Sequence, residues 1–354
     1  MEYSKLKNKR ILITGGAGFI GSTLIRKLLI SSECLIWNLD KMGYASDLTS
    51  INFCLRELEI NQQKRYQFIL ADLKDKQKVK NAIAQSNPDY VIHLAAESHV
   101  DKSIQNPFTF IESNIIGTFN LLECIKEYWQ NLQKNRQESF RLLHVSTDEV
   151  FGSTLFDESF TEQTPYDPKS PYSASKASSD HLVRAWHNTF NVPILITNCS
   201  NNFGPWQYPE KLIPVIISNA LSQKDIPIYG DGLNVRDWLF VEDHVDALIL
   251  VLQKGIIGES YCIGGNGEKT NIEIARNICD IIKEILPSLT DSRELITLVN
   301  DRPGHDRRYS INPKKIKNEL GWEPKFSFEK SLELTVKWYI NNQNWCEESL
   351  LKKT

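Results

Sequence analysis

Tyr172-Ser173-Ala174-Ser175-Lys176 sets a phenol and an ammonium four positions apart. On a helix those side chains share one face. A nearby ammonium lowers a phenol's pKa, so a tyrosinate becomes accessible as a general base near neutral pH. The same spacing on an arbitrary helix is a surface pair; position in the chain gives this one weight. One strand-to-helix unit earlier stands Ser146-Thr147-Asp148-Glu149. Thr147 is expected to end a strand, where a hydroxyl can align a substrate. The adjacent acids Asp148 and Glu149 can do opposite proton work if their surroundings split their pKa values. The plainer alternative is a loop start carrying two solvated carboxylates.

Near the start of the chain comes Thr14-Gly15-Gly16-Ala17-Gly18-Phe19-Ile20-Gly21. Gly15, Gly18 and Gly21 fall between an apolar run and a helical pattern. Their missing Cβ atoms allow a tight turn, close approach of a pyrophosphate, and close packing of helix on strand. The helix N-terminus adds free N–H groups and partial positive charge. Asp40 follows about 20 residues on, where a carboxylate accepts hydrogen bonds from an adenosine ribose. An acid there repels a 2′-phosphate, which favours NAD.

The elements that must position these groups alternate. Strands are predicted over 10–14, 35–39, 66–70, 90–94, 140–146 and 193–198, with Asp40 closing the second. Helices are predicted over 19–30, 74–85, 108–129 and 172–190. Such alternation makes an α/β, doubly wound parallel sheet of Rossmann type. After about residue 200 prolines and short strands, 226–229 and 238–241, interleave with helices, and the chain reads as a smaller carboxy-terminal α/β lobe. Residues 126–139 are polar and read as a surface connection. Substrate is expected between the lobes, outside the carboxyl ends of the strands.

Composition bounds the rest. The 354 residues include 41 Lys and Arg against 44 Asp and Glu, a net charge of −3. That balance argues against a nucleic-acid binder or a polybasic membrane-surface protein. Hydrophobic residues at 41% and charged ones at 24% are globular usage, sufficient for a large core. No apolar stretch approaches the roughly 20 residues of a membrane span, and residues 1–10 are polar rather than an apolar leader. Seven scattered cysteines without a Cys-x-x-Cys pair imply reduced thiols in a cytoplasmic protein. The histidines show no metal-ligand spacing, so no metal is expected.

On these motifs the chain resembles the extended short-chain dehydrogenase/reductases. Within them it is similar to the nucleoside-diphosphate-glucose 4,6-dehydratases, of the bacterial dTDP-glucose type. The likeness runs from Lys9 to about Gly321. Its stretches are 14–22, Leu94-Ala95-Ala96-Glu97-Ser98-His99-Val100-Asp101, 146–152, 197–205, 209–214, Arg236-Asp237-Trp238 and Asp301-Arg302-Pro303-Gly304-His305-Asp306-Arg307-Arg308. The Thr-Asp-Glu run separates dehydratases from epimerases and decarboxylases of the same superfamily.

The resemblance implies roles residue by residue. Gly15, Gly18, Phe19, Ile20, Gly21, Asp40, Lys41, Met42, Gly43, Asp72, Leu73, Leu94, Ala95, Ala96, Ser98, Ser113, Tyr172, Lys176 and Asn202 would surround NAD. Ser98, Thr147, Asn201, Lys211, Leu212, Pro227, Ile228, Tyr229, Arg236, Asn271, Asp301, Arg302, Pro303, Gly304 and His305 would surround a nucleotide sugar. Thr147, Asp148, Glu149, Tyr172 and Lys176 would carry the chemistry. Residues 1–200, joined by 237–260, would form the NAD lobe, and 201–354 mostly the sugar-nucleotide lobe. A homodimer pairing the helices 108–129 and 172–190 is implied as well, as is a place in deoxysugar synthesis such as that of rhamnose. Phe151 and Phe203 stand where the family has Tyr, Met42-Gly43 replaces Leu-Thr, and Ser113 replaces Thr.

Independently of the resemblance, Lys211, Arg236, Arg302, Arg307 and Arg308 are cations that could grip a diphosphate. Arg307 and Arg308 read equally well as solvated, or paired with Asp306. The sequence leaves dTDP against UDP open. A sugar-nucleotide 4-epimerase and a UDP-glucuronate decarboxylase share the scaffold, but the acid pair beside Thr147 speaks against both. A non-catalytic NAD-sensing scaffold would be expected to have lost the Tyr-x-x-x-Lys pair or the acids.

Overall fold

The structure is a computed structural model that describes residues 3–155 and 158–351; Met1 and Glu2 of the polar start lie outside them. Its centre is a parallel sheet of seven strands among the described residues. The first six in sequence are β1 (Arg10–Thr14), β2 (Leu35–Asp40), β3 (Tyr66–Leu70), β4 (Tyr90–His93), β5 (Arg141–Thr147) and β6 (Ile194–Cys199). The order across the sheet is Ser260–Ile263, β6, β5, β4, β1, β2, β3. Strands covered on both faces must be apolar throughout rather than alternating. Ile11, Leu12 and Ile13 of β1 are accordingly all buried.

One apolar cluster lies on each face of the sheet. A third, built on Phe203, Ile213, Ile217, Ile274 and Tyr339, fills the second lobe. The helix Val241–Lys254 packs on the helix Phe19–Ser31, and Ser260–Ile263 then pairs with β6. The segment that returns to the sheet therefore extends to Ile263. No helix among the described residues is long and apolar enough to cross a membrane.

Two stretches differ from the sequence expectation. Residues 108–129 do not form one helix: Pro107–Phe110 passes into a π-helical turn, Ile111–Ile116, before the helix Gly117–Gln130. The cause is Asn114, whose side chain accepts from the Glu97 N–H at 2.8 Å and donates to the Glu97 carbonyl and the Ser175 hydroxyl. A wide turn brings that amide to the loop after β4. Residues 126–139 lie at the surface as expected, and differ only in being largely helical. Helix Gly117–Gln130 runs into them and helix Lys134–Ser139 fills most of the remainder. Arg136 anchors the segment by donating to the carbonyls of Asn87 and Pro88.

Candidate active site

The sheet order reverses between β1 and β4, and a crevice must open where successive helices leave on opposite faces. A cleft of about 330 Å³ occupies that place. Its floor is the glycine turn after β1. Gly15 adopts φ +74°, and a Cβ there would stand 2.5 Å from the Ala95 nitrogen. A Cβ on Gly21 would stand 2.3 Å from the Gly15 carbonyl oxygen. No side chain caps the helix Phe19–Ser31 that follows, so the dipole at its N-terminus is left for a ligand in the cleft.

Asp40 closes β2 and holds this turn in shape. Its Oδ2 accepts from the Ala17 N–H at 3.0 Å, and its Oδ1 accepts from the Met42 N–H and the Ser46 hydroxyl. Beside it the Lys41 ammonium donates to Glu97 at 2.6 Å and to Ser113 at 2.9 Å. Gly18, Phe19, Ile20, Gly43, Asp72, Leu73, Leu94, Ala95, Ala96 and Ser98 also line the cleft, as do Asn201 and Asn202. Met42 is outside the lining. An uncapped helix N-terminus, a turn that admits no Cβ, and an anchored carboxylate together fit a dinucleotide.

Tyr172, Lys176, Thr147, Asp148 and Glu149 converge on the same cleft. Thr147 ends β5, and its hydroxyl accepts from the Glu149 N–H at 3.3 Å, which starts the tight turn Asp148–Phe151. Facing it is the helix Pro171–Phe190, with Ser170 and Ser173 forming a reciprocal cap and Pro171 preset in the first turn. The acid pair is therefore not a solvated loop start. Asp148 is 1% exposed, and its Oδ2 has no hydrogen-bond partner among the described residues.

Their surroundings differ. Burial, then the Glu149 and Asp237 charges, push the Asp148 carboxyl well above the usual carboxylate range. Burial also raises Glu149, but Arg302, Arg236 and Lys211 all pull it back. Asp148 is thus held as the acid, while Glu149 faces three cations that favour its ionised form. One expectation fails here. The Tyr172 phenol sits well above its ordinary value rather than below, because burial and the Glu149 charge outweigh the lowering contact from Thr147. The Lys176 ammonium donates to the Val145 carbonyl at 3.0 Å.

The remaining expected residues sort by position. Lys211 donates to the Ser98 carbonyl at 3.0 Å and lines the cleft. The Arg236 guanidinium carbon stands over the Tyr309 ring, 4.2 Å from its centroid, and its Nη2 donates to the Asp306 carbonyl, while Arg302 reaches Asp101 at 3.4 Å. Asn271 is buried with its Oδ1 unpartnered, and His305 bonds Asp301 at 2.6 Å. Of the residues expected around a nucleotide sugar, Ser98, Thr147, Asn201 and Lys211 line the main cleft, whereas Leu212, Arg236, Asn271, Asp301, Arg302, Pro303, Gly304 and His305 lie outside its lining. On the strand Ile226–Tyr229, alternation turns Ile228 into the core, leaving Pro227 and Tyr229 facing outward. Arg307 and Arg308 are engaged elsewhere: Arg307 pairs with Asp231, and Arg308 forks onto Glu268. The Asp306 carboxylate accepts from the Tyr309 hydroxyl at 2.7 Å.

Other cleft residues escaped the sequence reading. The Tyr44 hydroxyl donates to Glu210 at 2.8 Å, bridging the loop after β2 to the second lobe. Cys199 lies at the end of β6 with its thiol 3.4 Å from the Ser146 carbonyl. Adjacency to Lys211 and to Asn201 was the available signal. Phe151 packs on Phe160 and Tyr166, with ring centroids 5.2 Å apart in each pair.

Comparison with known proteins gives consistent relatives. A family model described as GDP-mannose 4,6 dehydratase matches residues 12–335. The chain is 49% identical over 347 residues to the dTDP-glucose 4,6-dehydratase of Neisseria meningitidis, covering 97% of this chain and 96% of that one. Among solved structures, the dTDP-glucose 4,6-dehydratase of Bacillus anthracis in complex with NAD is 43% identical with a TM-score of 0.84, covering 96% of this chain and 99% of that one. The dTDP-glucose 4,6-dehydratase of Streptomyces venezuelae with NAD and TYD bound is 40% identical with a TM-score of 0.85, at the same coverage.

Proposed function

The chain belongs to the nucleotide-sugar 4,6-dehydratases of the extended short-chain dehydrogenase family, and from that premise we propose that it converts dTDP-glucose to dTDP-4-keto-6-deoxyglucose and water. The observation that carries this reading is the acid pair in unequal surroundings, buried Asp148 and partly exposed Glu149, lining one cleft with Tyr172 and Thr147. NAD would be held by the glycine turn, Asp40 and the walls from Leu94 to Ser98. When bound it supplies a hydride acceptor for carbon 4, the hydride donor for carbon 6, and a positive charge within the cleft.

Each of the chain's own groups then has one task. Thr147 aligns the sugar's 4-hydroxyl, and Tyr172 takes its proton as phenolate. That form needs the Lys176 ammonium and the positive charge of bound cofactor to offset the burial and the Glu149 charge that raise the phenol. With carbon 4 at the ketone level, the proton on carbon 5 is acidic and Glu149 removes it. Asp148 protonates the 6-hydroxyl, which departs as water. Glu149 returns its proton to carbon 5, and the proton on Tyr172 passes through solvent to restore Asp148. Lys211, Arg236 and Arg302 are the cations nearest this chemistry and suit the diphosphate.

Two finer readings accompany this one. Exposed Ile104, Phe108, Ile111 and Phe119 form an apolar face that supports pairing of two copies across these helices. The described cysteines are free and buried, which suits a reducing cytoplasm. The decisive experiment gives purified protein dTDP-glucose and UDP-glucose separately and follows the 4-keto-6-deoxy product without added cofactor. Faster conversion of dTDP-glucose is expected. A product that keeps its 6-hydroxyl and inverts carbon 4 would replace the dehydratase reading with an epimerase.

A further inference from the structure

Tyr172, Lys176 and Asp180 recur at every fourth position of the helix Pro171–Phe190, and all three are buried. A buried ammonium loses its hydration and tends to lose its proton unless a negative charge lies near. Lys176 has no carboxylate in direct contact among the described residues; its bond is to the Val145 carbonyl. Asp180 is 0% exposed, one turn further along the same face.

The carboxylate of Asp180 is gripped from three other elements. His144 Nε2 lies at 2.9 Å from it and Ser146 Oγ at 2.8 Å, both on β5. The Tyr166 hydroxyl donates at 2.8 Å from the preceding loop, and Asn198 Nδ2 at 3.3 Å from β6. So many donors are a poor fit to a neutral carboxyl and a good one to an anion. Despite burial, Asp180 stays below the usual carboxylate range, chiefly through His144. Burial and Lys176 hold His144 itself below its usual value against the pull of Asp180, which favours the neutral ring. The negative charge is thus not cancelled by an imidazolium. It opposes the effect of burial on Lys176.

We propose that Asp180 is a positioning residue that keeps Lys176 protonated and thereby sets the upper pH limit at which Tyr172 can accept the sugar's hydroxyl proton. Other titratable groups face this pair. They are His93 and His144 from β4 and β5, Cys199 from β6, Tyr166 from the loop, and Tyr172 and Arg184 from the same helix. His93 bonds Thr14 and Thr118 and stays neutral, and burial raises Cys199, so neither supplies a compensating charge near pH 7.

This inference rests on the dehydratase reading, and its test is the pH profile of dTDP-glucose turnover by NAD-loaded protein. Asp180→Asn is expected to move the alkaline limb down by about one pH unit or more, as removal of a nearby buried charge implies. At a pH on that limb the loss is about tenfold, against a much smaller loss at the acid end. An equal loss at every pH, or a limb left in place, overturns the proposal. Asp180→Glu provides a second arm if the amide variant does not fold. It retains the charge, so its limb must stay near the parent's, and a limb shifted as far as expected for the amide overturns the proposal equally. Parent protein that made no 4-keto-6-deoxy product would sink the dehydratase reading first; an unmoved limb sinks only the role of Asp180.

Discussion

The Trp345 indole donates a hydrogen bond of 2.7 Å to the Asp47 carboxylate, joining segments 298 positions apart. Asp47 in turn donates its N–H to the Ala17 carbonyl in the glycine turn. The carboxy-terminal helix Gln343–Leu351 thereby braces the loop that borders the cofactor cleft, and the Tyr208 hydroxyl donates to the Ser349 carbonyl from the other side. Trp345→Phe keeps ring packing on Trp206 and Trp338 and removes the donor. Loss of a bond to a charged group costs about 1.5–3 kcal/mol, and urea unfolding should report a decrease of that order. An unchanged midpoint would mean that the helix merely rests there.

Glu149→Gln and Asp148→Asn should fail at different steps. The Gln variant should still reduce bound NAD when substrate is added, yet exchange the carbon-5 proton with deuterated solvent far more slowly. The Asn variant should oxidise and exchange while losing water slowly. General acid–base roles imply losses of about 10²–10⁴-fold in turnover. Normal water loss by both variants would remove the acid pair from the mechanism.

Asp148→Asn should also stabilise the protein. The folded state raises this carboxyl's pKa, so it binds a proton that the unfolded chain releases. Stability from that group is complete below the unfolded value and declines as pH rises toward the folded one. Replacing it with a neutral amide removes the decline. Melting curves should place the variant above the parent at pH 7, with the gap closing as pH falls below the ordinary Asp value. A variant that melts lower throughout would show that the carboxyl makes a contact an amide cannot replace.

If Asp40 meets a ribose as proposed, Asp40→Ser should cost NAD affinity for two reasons, since the carboxylate also ties the glycine turn at Ala17 to the loop at Ser46. Losing charged hydrogen bonds implies at least about a tenfold rise in the dissociation constant. NADP binding should suffer less because a repulsive charge goes too. Equal losses for both cofactors would assign Asp40 to the turn alone.

The sheet and the strand ends that border the cleft were legible because period and punctuation agree there: apolar runs stop at Thr14, Asp40 and Thr147, the first followed by glycine, the second itself an acid and the third followed by two acids. The break at Ile111–Ile116 was not, since a π turn keeps helical composition and its cause, the Asn114 amide, is satisfied by Glu97 and Ser175 from distant segments. Tyr172 shows the same limit in its electrostatics. Its spacing from Lys176 is local and readable, but the burial and the Glu149 charge that dominate it arise only on folding. Arg307 and Arg308 look equivalent as a dipeptide, and only tertiary partners send one to Asp231 and the other to Glu268.

The strand Ser260–Ile263 reaches the sheet only after the chain has laid down much of the second lobe. During synthesis β6, every residue of which is buried in the finished fold, therefore waits with a bare edge until at least residue 263 has emerged. Such an edge invites pairing with another chain. A fragment cut near residue 200 would carry that liability permanently, because the strand that covers β6 lies beyond the cut.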